Sequence, residues 1–176
     1  MSVPRIRLKF GHKLFLSHFL AVVLVSGSVG SFFYFSAIDN LMESLRSRLQ
    51  NSAALLSQSI DGRSLDPIQS EADIELEVYK KTLSMLRRLR RSNHDIAFLY
   101  IMRKEEGKVI FVIDSDETEM QALPGREYTS GTEAMLNSFY EASVDKEPYQ
   151  DDWGVFVSGY SPLRNGQGKY LIGIDM

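Results

Sequence analysis

The chain has no cysteine among its 176 residues. Disulfides, thiolate metal sites and a cysteine nucleophile are therefore excluded. No acidic residue occurs before Asp39, where Arg5, Arg7, Lys9 and Lys13 carry the charge. From Leu14 to Ile38 there is no Asp, Glu, Lys or Arg at all. Histidine is scarce. His12 and His18 belong to this N-terminal region, so a Ser-His-Asp set in the rest of the chain would depend on His94 alone. "VSGY" lacks the G-x-S-x-G nucleophile elbow. "RNGQGK" has neither the spacing nor the following helix of a phosphate-cradling loop, and it reads as a turn.

The charge that is present is unevenly placed. Of 20 Lys and Arg, four precede Asp39, which leaves 16 bases against 23 acids in the rest of the chain. A basic stub before an acidic body is not the footprint of a nucleic-acid binder. A hydrophobic content of 44% excludes a disordered chain.

The uncharged run "LFLSHFLAVVLVSGSVGSFFYFSAI" measures about 37 Å as a helix, at about 1.5 Å per residue. A bilayer core needs about 20 residues. The run is too long for the apolar core of an ordinary signal peptide, so an uncleaved anchor over residues 14–38 is expected. Positive charge on its N-terminal side puts Met1–Lys13 in the cytoplasm as a tail and residues 39–176 outside. His18 within the span is expected to face a partner helix or the cytoplasmic headgroups.

From Asp39 to Ile60, Leu41, Leu45, Leu49, Ala53, Leu56 and Ile60 recur at helical spacing. This stripe suits a stalk that pairs with a second copy, a helix packed on its own domain, or both at once. "DGRSLDP" breaks the helix. A second helix is expected over about Ala72–Arg91, ending in the basic run "RRLRR", which complements the helix dipole. Strands follow at "IAFLYIM" and "KVIFVI", joined by the loop "RKEEG". A short helix over Thr132–Ser143, a strand "WGVFVSGY" and a last strand "KYLIGIDM" complete the order. Two hairpins joined by a long crossover make a small antiparallel sheet, so the fold class is α+β.

Two groups of side chains could carry a site. Asp114, Asp116 and Glu119 in "DSDETE" offer oxygen ligands for Ca²⁺ or Mg²⁺, without the glycine and terminal glutamate of an EF-hand. Capping of the next turn explains the same acids. Tyr128, Trp153, Phe156 and Tyr160 lie in or beside the crossover. Rings with polar tips line small-molecule pockets and also fill cores, and Phe156 is expected in the core.

"DIAFLYIMRKEEGKVIFVIDSDETE", "LPGREY" and "YQDDWGVFVSGYSPLRNGQGKYLIGIDM", behind an anchor and a long helix, resemble a single Cache domain of the PAS-like PDC type. These are extracytoplasmic sensors of bacterial transmembrane receptors. The resemblance covers roughly Asp39 to the end. It implies a five-stranded antiparallel sheet flanked by the long helix. It also implies a small ligand, such as an organic acid, an amino acid or a cation, held between sheet and crossover. By position the pocket would be lined by Tyr100, Tyr128, Trp153, Ser158 and Tyr160, with Arg126 and Asp114 at its mouth, and Asp175 near the end of the exit strand. No cofactor is implied. The segment itself would not be an enzyme. It would be a homodimer in the bacterial inner membrane, its sensor domain in the periplasm or outside. A kinase, cyclase, phosphatase or chemotaxis output would follow beyond Met176, where the apolar run "IGIDM" reads as a strand leading back toward the membrane. The rival expectation is a structural or partner-binding domain without a ligand.

Overall fold

A computed structural model describes residues 9–176; Arg5 and Arg7 of the basic tail lie outside the described residues. Helix α1 runs unbroken from Phe10 to Ser57. The chain divides into two compact units, Met1–Glu43 and Ser44–Met176. In the first, α1 is long and apolar enough to cross a membrane. Every residue of the charge-free run is exposed apart from Ser36, which is half-buried. Residues Phe10–Lys13 of the expected tail already belong to the helix.

The second unit holds the sheet. Helix α2 (Glu77–Ser92) is preceded by 3₁₀ turns at Gly62–Leu65 and Glu71–Glu75. The second of these carries a capping box between Ser70 and Asp73, so the helix expected from Ala72 starts instead after the extended Leu76. Strands β1 (Phe98–Glu105) and β2 (Lys108–Asp114) follow. Their turn is only Glu106–Gly107, both at positive φ (49° and 82°), the backbone a two-residue hairpin requires. The crossover contains β3 (Glu127–Tyr128), α3 (Glu133–Asn137), β4 (Ser143–Val144), β5 (Tyr149–Gln150) and β6 (Val155–Phe156). Strands β7 (Ser158–Pro162) and β8 (Tyr170–Asp175) end the chain.

The main sheet has six strands, all neighbours antiparallel, in the order β3-β2-β1-β8-β7-β4. The two outermost strands are two residues each, and that is where the expected count of five falls short: such short pairings carry no period-2 pattern a sequence could display. The expected strand "WGVFVSGY" is two strands. Val155–Phe156 pairs with β5 in a separate hairpin, and Ser158–Pro162 pairs with β8. Asn165-Gly166 does not form a two-residue turn. It lies in a longer loop that docks on the end of α1, where Asn165 donates to Asp61 at 2.9 Å and the Gly62 N–H donates to the Arg164 carbonyl at 2.8 Å.

Both faces of the sheet are covered. One face carries Leu99, Ile101, Ile113, Ile172 and Ile174, all essentially inaccessible, and α1 and α2 supply Leu49, Ala53, Tyr79 and Leu86 to the core. Burying each such side chain is worth about 1.5–3 kcal/mol. The leucine stripe of α1 is therefore used inside its own domain; Leu41 and Leu55 stay exposed. The basic run at the end of α2 is also used internally. Arg87 and Arg90 donate to the carbonyls of Asp116 and Ser115 at 2.7 and 3.2 Å, and Arg91 pairs with Glu117. The run "RRLRR" and the acidic loop "DSDETE" account for each other.

The opposite face carries Phe98, Tyr100 and Met102 of β1 and Leu171, Gly173 and Asp175 of β8, directly paired across the ladder. An irregularity in the β1–β2 register matters here. Ile101 faces Ile113, but Met102 faces Phe111, so Val112 is an extra residue. A bulge of this kind reverses the alternation beyond it. Phe111 and Asp114, three residues apart, consequently lie on the same face.

Candidate ligand-binding site

Between this second face and the crossover lies a cleft. Strand β1 supplies Phe98, Tyr100 and Met102 to its wall, β2 supplies Phe111 and Asp114, and β3 supplies Tyr128. Asp175 forms part of the floor. Asp151 and Trp153 close it from the tip of the β5–β6 hairpin. The space open to the centre of a water molecule is about 20 Å³. That is room for about one water, so anything larger enters only if the hairpin tip moves outward. The rings pack edge to face: Tyr100 on Phe111 at 6.0 Å and Phe111 on Tyr128 at 5.6 Å, with Trp153 5.6 Å from Phe111.

Local hydrogen bonds hold the hairpin tip in place. Asp151 Oδ1 accepts the N–H groups of Trp153 (2.9 Å) and Gly154 (3.2 Å). Its Oδ2 accepts the Tyr128 hydroxyl at 2.8 Å. The Trp153 indole donates to the Met120 carbonyl at 3.0 Å. Trp153 thus spans the opening, tethered to the loop after β2.

Below the rings lies a buried polar chain. Asp175 Oδ1 accepts both the Ser158 hydroxyl (2.6 Å) and the Tyr100 hydroxyl (2.7 Å). The Ser158 hydroxyl also meets the Tyr149 hydroxyl at 3.2 Å, and its N–H donates to Asp145 Oδ2 at 3.1 Å. Asp145 accepts Tyr160 (3.0 Å) and Thr132 (2.7 Å) as well. Strand pairing makes this possible, because Ser158 and Phe98 flank Asp175 on its two neighbours. The Tyr100 ring lies over Gly173, where a Cβ would fall 2.2 Å from it.

Four expected site residues, Tyr100, Tyr128, Trp153 and Ser158, gather at or under the cleft. Tyr160 shares that face of the sheet but does not line the cleft. It is fully buried and donates to Asp145. Arg126 is exposed, with its guanidinium 4.6 Å over the Trp153 ring and 3.8 Å from Asp152; it does not line the cleft. Among the described residues no acidic group gathers for a metal. Asp114 accepts the N–H groups of Asp116 (3.0 Å) and Ala122 (2.8 Å), Asp116 accepts from Thr118, and Glu119 is exposed. The acids serve the turn, because a strand end leaves N–H groups that short acidic side chains satisfy. His94 is exposed in the turn after α2. The residues that sequence reasoning passed over are Asp151, Asp145 and Tyr149. Asp151 had a signal in the "DDWG" turn, whereas the other two become polar interior only through pairing.

Burial pushes the Asp175 carboxyl up to about 7, against the pull of the Ser158 and Tyr100 hydrogen bonds. Burial also raises Asp145 and Asp114. The hydroxyls of Tyr100, Tyr128 and Tyr160 are held well above the usual tyrosine range for the same reason, so they remain donors. A carboxyl raised in the fold stabilises it below the unfolded value, about 4, and that stability is lost as pH rises through about 7. Asp61, Asp66, Asp73 and Glu117 are lowered by their partners, so they act at the acid side of this window. The melting temperature should therefore fall from pH 5 to pH 7.5. Asp175→Asn should flatten that fall; an unchanged slope in this variant would remove Asp175 as its source.

No family model matches the chain, and no curated protein matches it. Among solved structures it is similar to the extracellular domain of a histidine kinase, mmHK1S-Z2, at 13% identity and a TM-score of 0.40. That match covers 77% of this chain and 60% of the other. It is also similar to the ligand-binding domain of the Campylobacter jejuni chemoreceptor Tlp3, in complex with 4-methylisoleucine, at 14% identity and a TM-score of 0.42. This second match covers 80% of this chain and 53% of the other. The chain therefore spans little more than half the length of these proteins.

Proposed function

We propose that this chain is the sensory input module of a membrane-bound bacterial receptor, a single Cache domain of the PAS-like type. It binds a small ligand outside the membrane and passes a conformational signal to a cytoplasmic output. The observation that carries the reading is the cleft itself. A buried carboxyl and a ring-lined wall lie under a hairpin tip that is tethered by a few hydrogen bonds. A core with a packing role alone would not set a buried carboxyl against a gap in the packing. The membrane-spanning character of α1 agrees with the same reading. On it, α1 anchors the protein in the inner membrane, two copies pair through that helix, and the sensor domain lies in the periplasm. Binding works by opening the Asp151–Gly154 tip, which already closes the cleft, and reseating it over the ligand. A ligand biases two states only through its difference in affinity for them.

The test is a thermal-shift screen of the full chain in a non-ionic detergent, against small acids, amines and divalent ions. A ligand at a hundred times its Kd stabilises by about 2.7 kcal/mol, a rise of several degrees. Trp153→Ala should abolish that rise while leaving the melting temperature without ligand within a few degrees. A screen in which no compound raises the melting temperature returns the domain to a structural, partner-binding role.

A further inference from the structure

The cleft holds three carboxyls, Asp114, Asp151 and Asp175, and no Lys, Arg or His lines it. Two arginines touch its rings from elsewhere: Arg126 over Trp153 at 4.6 Å and Arg90 over Phe98 at 5.5 Å. Neither reaches the space within. A ligand carboxylate would meet no cation there and would lie among three acids, which is strongly unfavourable in a site shielded from water. A ligand cation would meet the opposite. Ring faces attract a cation within about 6 Å, most of all when it is desolvated.

The three acids are not equivalent. Both oxygens of Asp114 are taken by backbone N–H groups, and both oxygens of Asp151 are taken by its own turn and Tyr128. Asp175 differs. Its two donors, Ser158 and Tyr100, share Oδ1, and among the described residues no hydrogen bond reaches Oδ2. The residue is 4% exposed and forms part of the cleft wall. It is a buried carboxyl with one oxygen left for something in the cavity.

We propose that the cleft binds a compact organic cation that carries no carboxylate, a small primary amine or methylated ammonium, with Asp175 as its counter-ion. The proposal rests on the sensing reading and names its ligand class. The groups facing Asp175 are neutral or acidic: Tyr100 from β1, Ser158 and Tyr160 from β7, Tyr149 from β5, Asp151 from the hairpin tip, and Asp145 after β4. With no base nearby, the empty site retains a proton near neutrality. An arriving cation takes the place of that proton. Binding therefore releases about one proton below about pH 7, and affinity rises with pH until the carboxyl is ionised without help.

The probes are propylammonium, tetramethylammonium, butyrate and alanine, titrated calorimetrically into the full chain in a non-ionic detergent. At least one ammonium should bind, about tenfold tighter for each pH unit from 5 to 7 and level above, while butyrate and alanine give no heat of binding. Asp175→Asn should abolish binding at pH 8 with its melting temperature retained. Trp153→Leu, which removes the ring face and leaves the carboxyl, should weaken it at least tenfold. Butyrate or alanine binding through Trp153 would overturn the ligand class and leave the sensing reading intact. So would ammonium affinity that is flat or falling with pH. If neither ammonium binds, the proposal fails, and the sensing reading then stands or falls with the wider screen.

Discussion

Replacing Gly159 with valine should destabilise the domain by about 3 kcal/mol and lower its melting temperature by roughly 10 °C. Gly159 sits on β7, on the face of the sheet that receives α1. A Cβ there would lie 2.6 Å from the carbonyl carbon of Leu49 and 2.8 Å from its carbonyl oxygen. These are backbone atoms of a helix and cannot rotate away. The helix is also pinned around them. Ser161 donates to Ser57 at 3.1 Å, Gln50 donates to the Ala142 carbonyl at 2.8 Å, and Arg46 donates to the Lys146 carbonyl. Relief therefore requires the whole C-terminal part of α1 to lift off, and Leu49 and Ala53, both fully buried, would be exposed. Thermal unfolding of the full chain in detergent measures the effect. A loss below about 2 °C would mean that the helix can shift at little cost, and the account of α1 as a tightly seated cover would be wrong.

The second large effect is expected at Asp145. Its side chain is 3% exposed and accepts three hydrogen bonds, from Thr132, Tyr160 and the Ser158 N–H. Asp145→Ala leaves three donors without a partner, two of them buried in the core. An unsatisfied buried group costs about 1–3 kcal/mol, so a loss of about 4 kcal/mol follows. Asp145→Asn keeps one oxygen acceptor and should lose about half as much. The damage should also reach the cleft, because Ser158 holds Asp145 with its N–H and Asp175 with its hydroxyl. A double-mutant cycle between Asp145→Asn and Asp175→Asn should show a coupling of more than about 0.5 kcal/mol in urea unfolding. Strict additivity would sever the chain at Ser158.

Local chemistry was sufficient for part of this protein. An uncharged run long enough for a bilayer, a helix written as a leucine stripe, and two apolar strands around a Glu-Gly turn are each contained in a few neighbouring residues. Fold class followed from their order. Tyr128 and Trp153 were recognisable as rings near a crossover for the same reason, whereas Tyr100 came only with the family resemblance.

The remainder depends on pairs of residues far apart in the chain. Alternation assigns faces only within an unbroken strand. The extra residue at Val112 brings Asp114 round to the face of Phe111, and the break before Ser158 separates the Trp153 hairpin from the sheet. Neither event has a local signature. Charge misleads in the same way. Arg126, expected at the mouth, stacks on the outer side of Trp153, whereas Asp145, which looks like a surface acid, is interior. What an isolated aspartate does is set by the donors that reach it. Those donors, Ser158, Tyr100, Tyr160 and Thr132, are assembled only when β8 enters the sheet between β1 and β7. Local patterning determined a helix long and apolar enough to cross a membrane, the longer elements and their class. Tertiary pairing decided which carboxyl faces the cavity, because burial and partnership are properties of the assembled sheet and not of any residue in it.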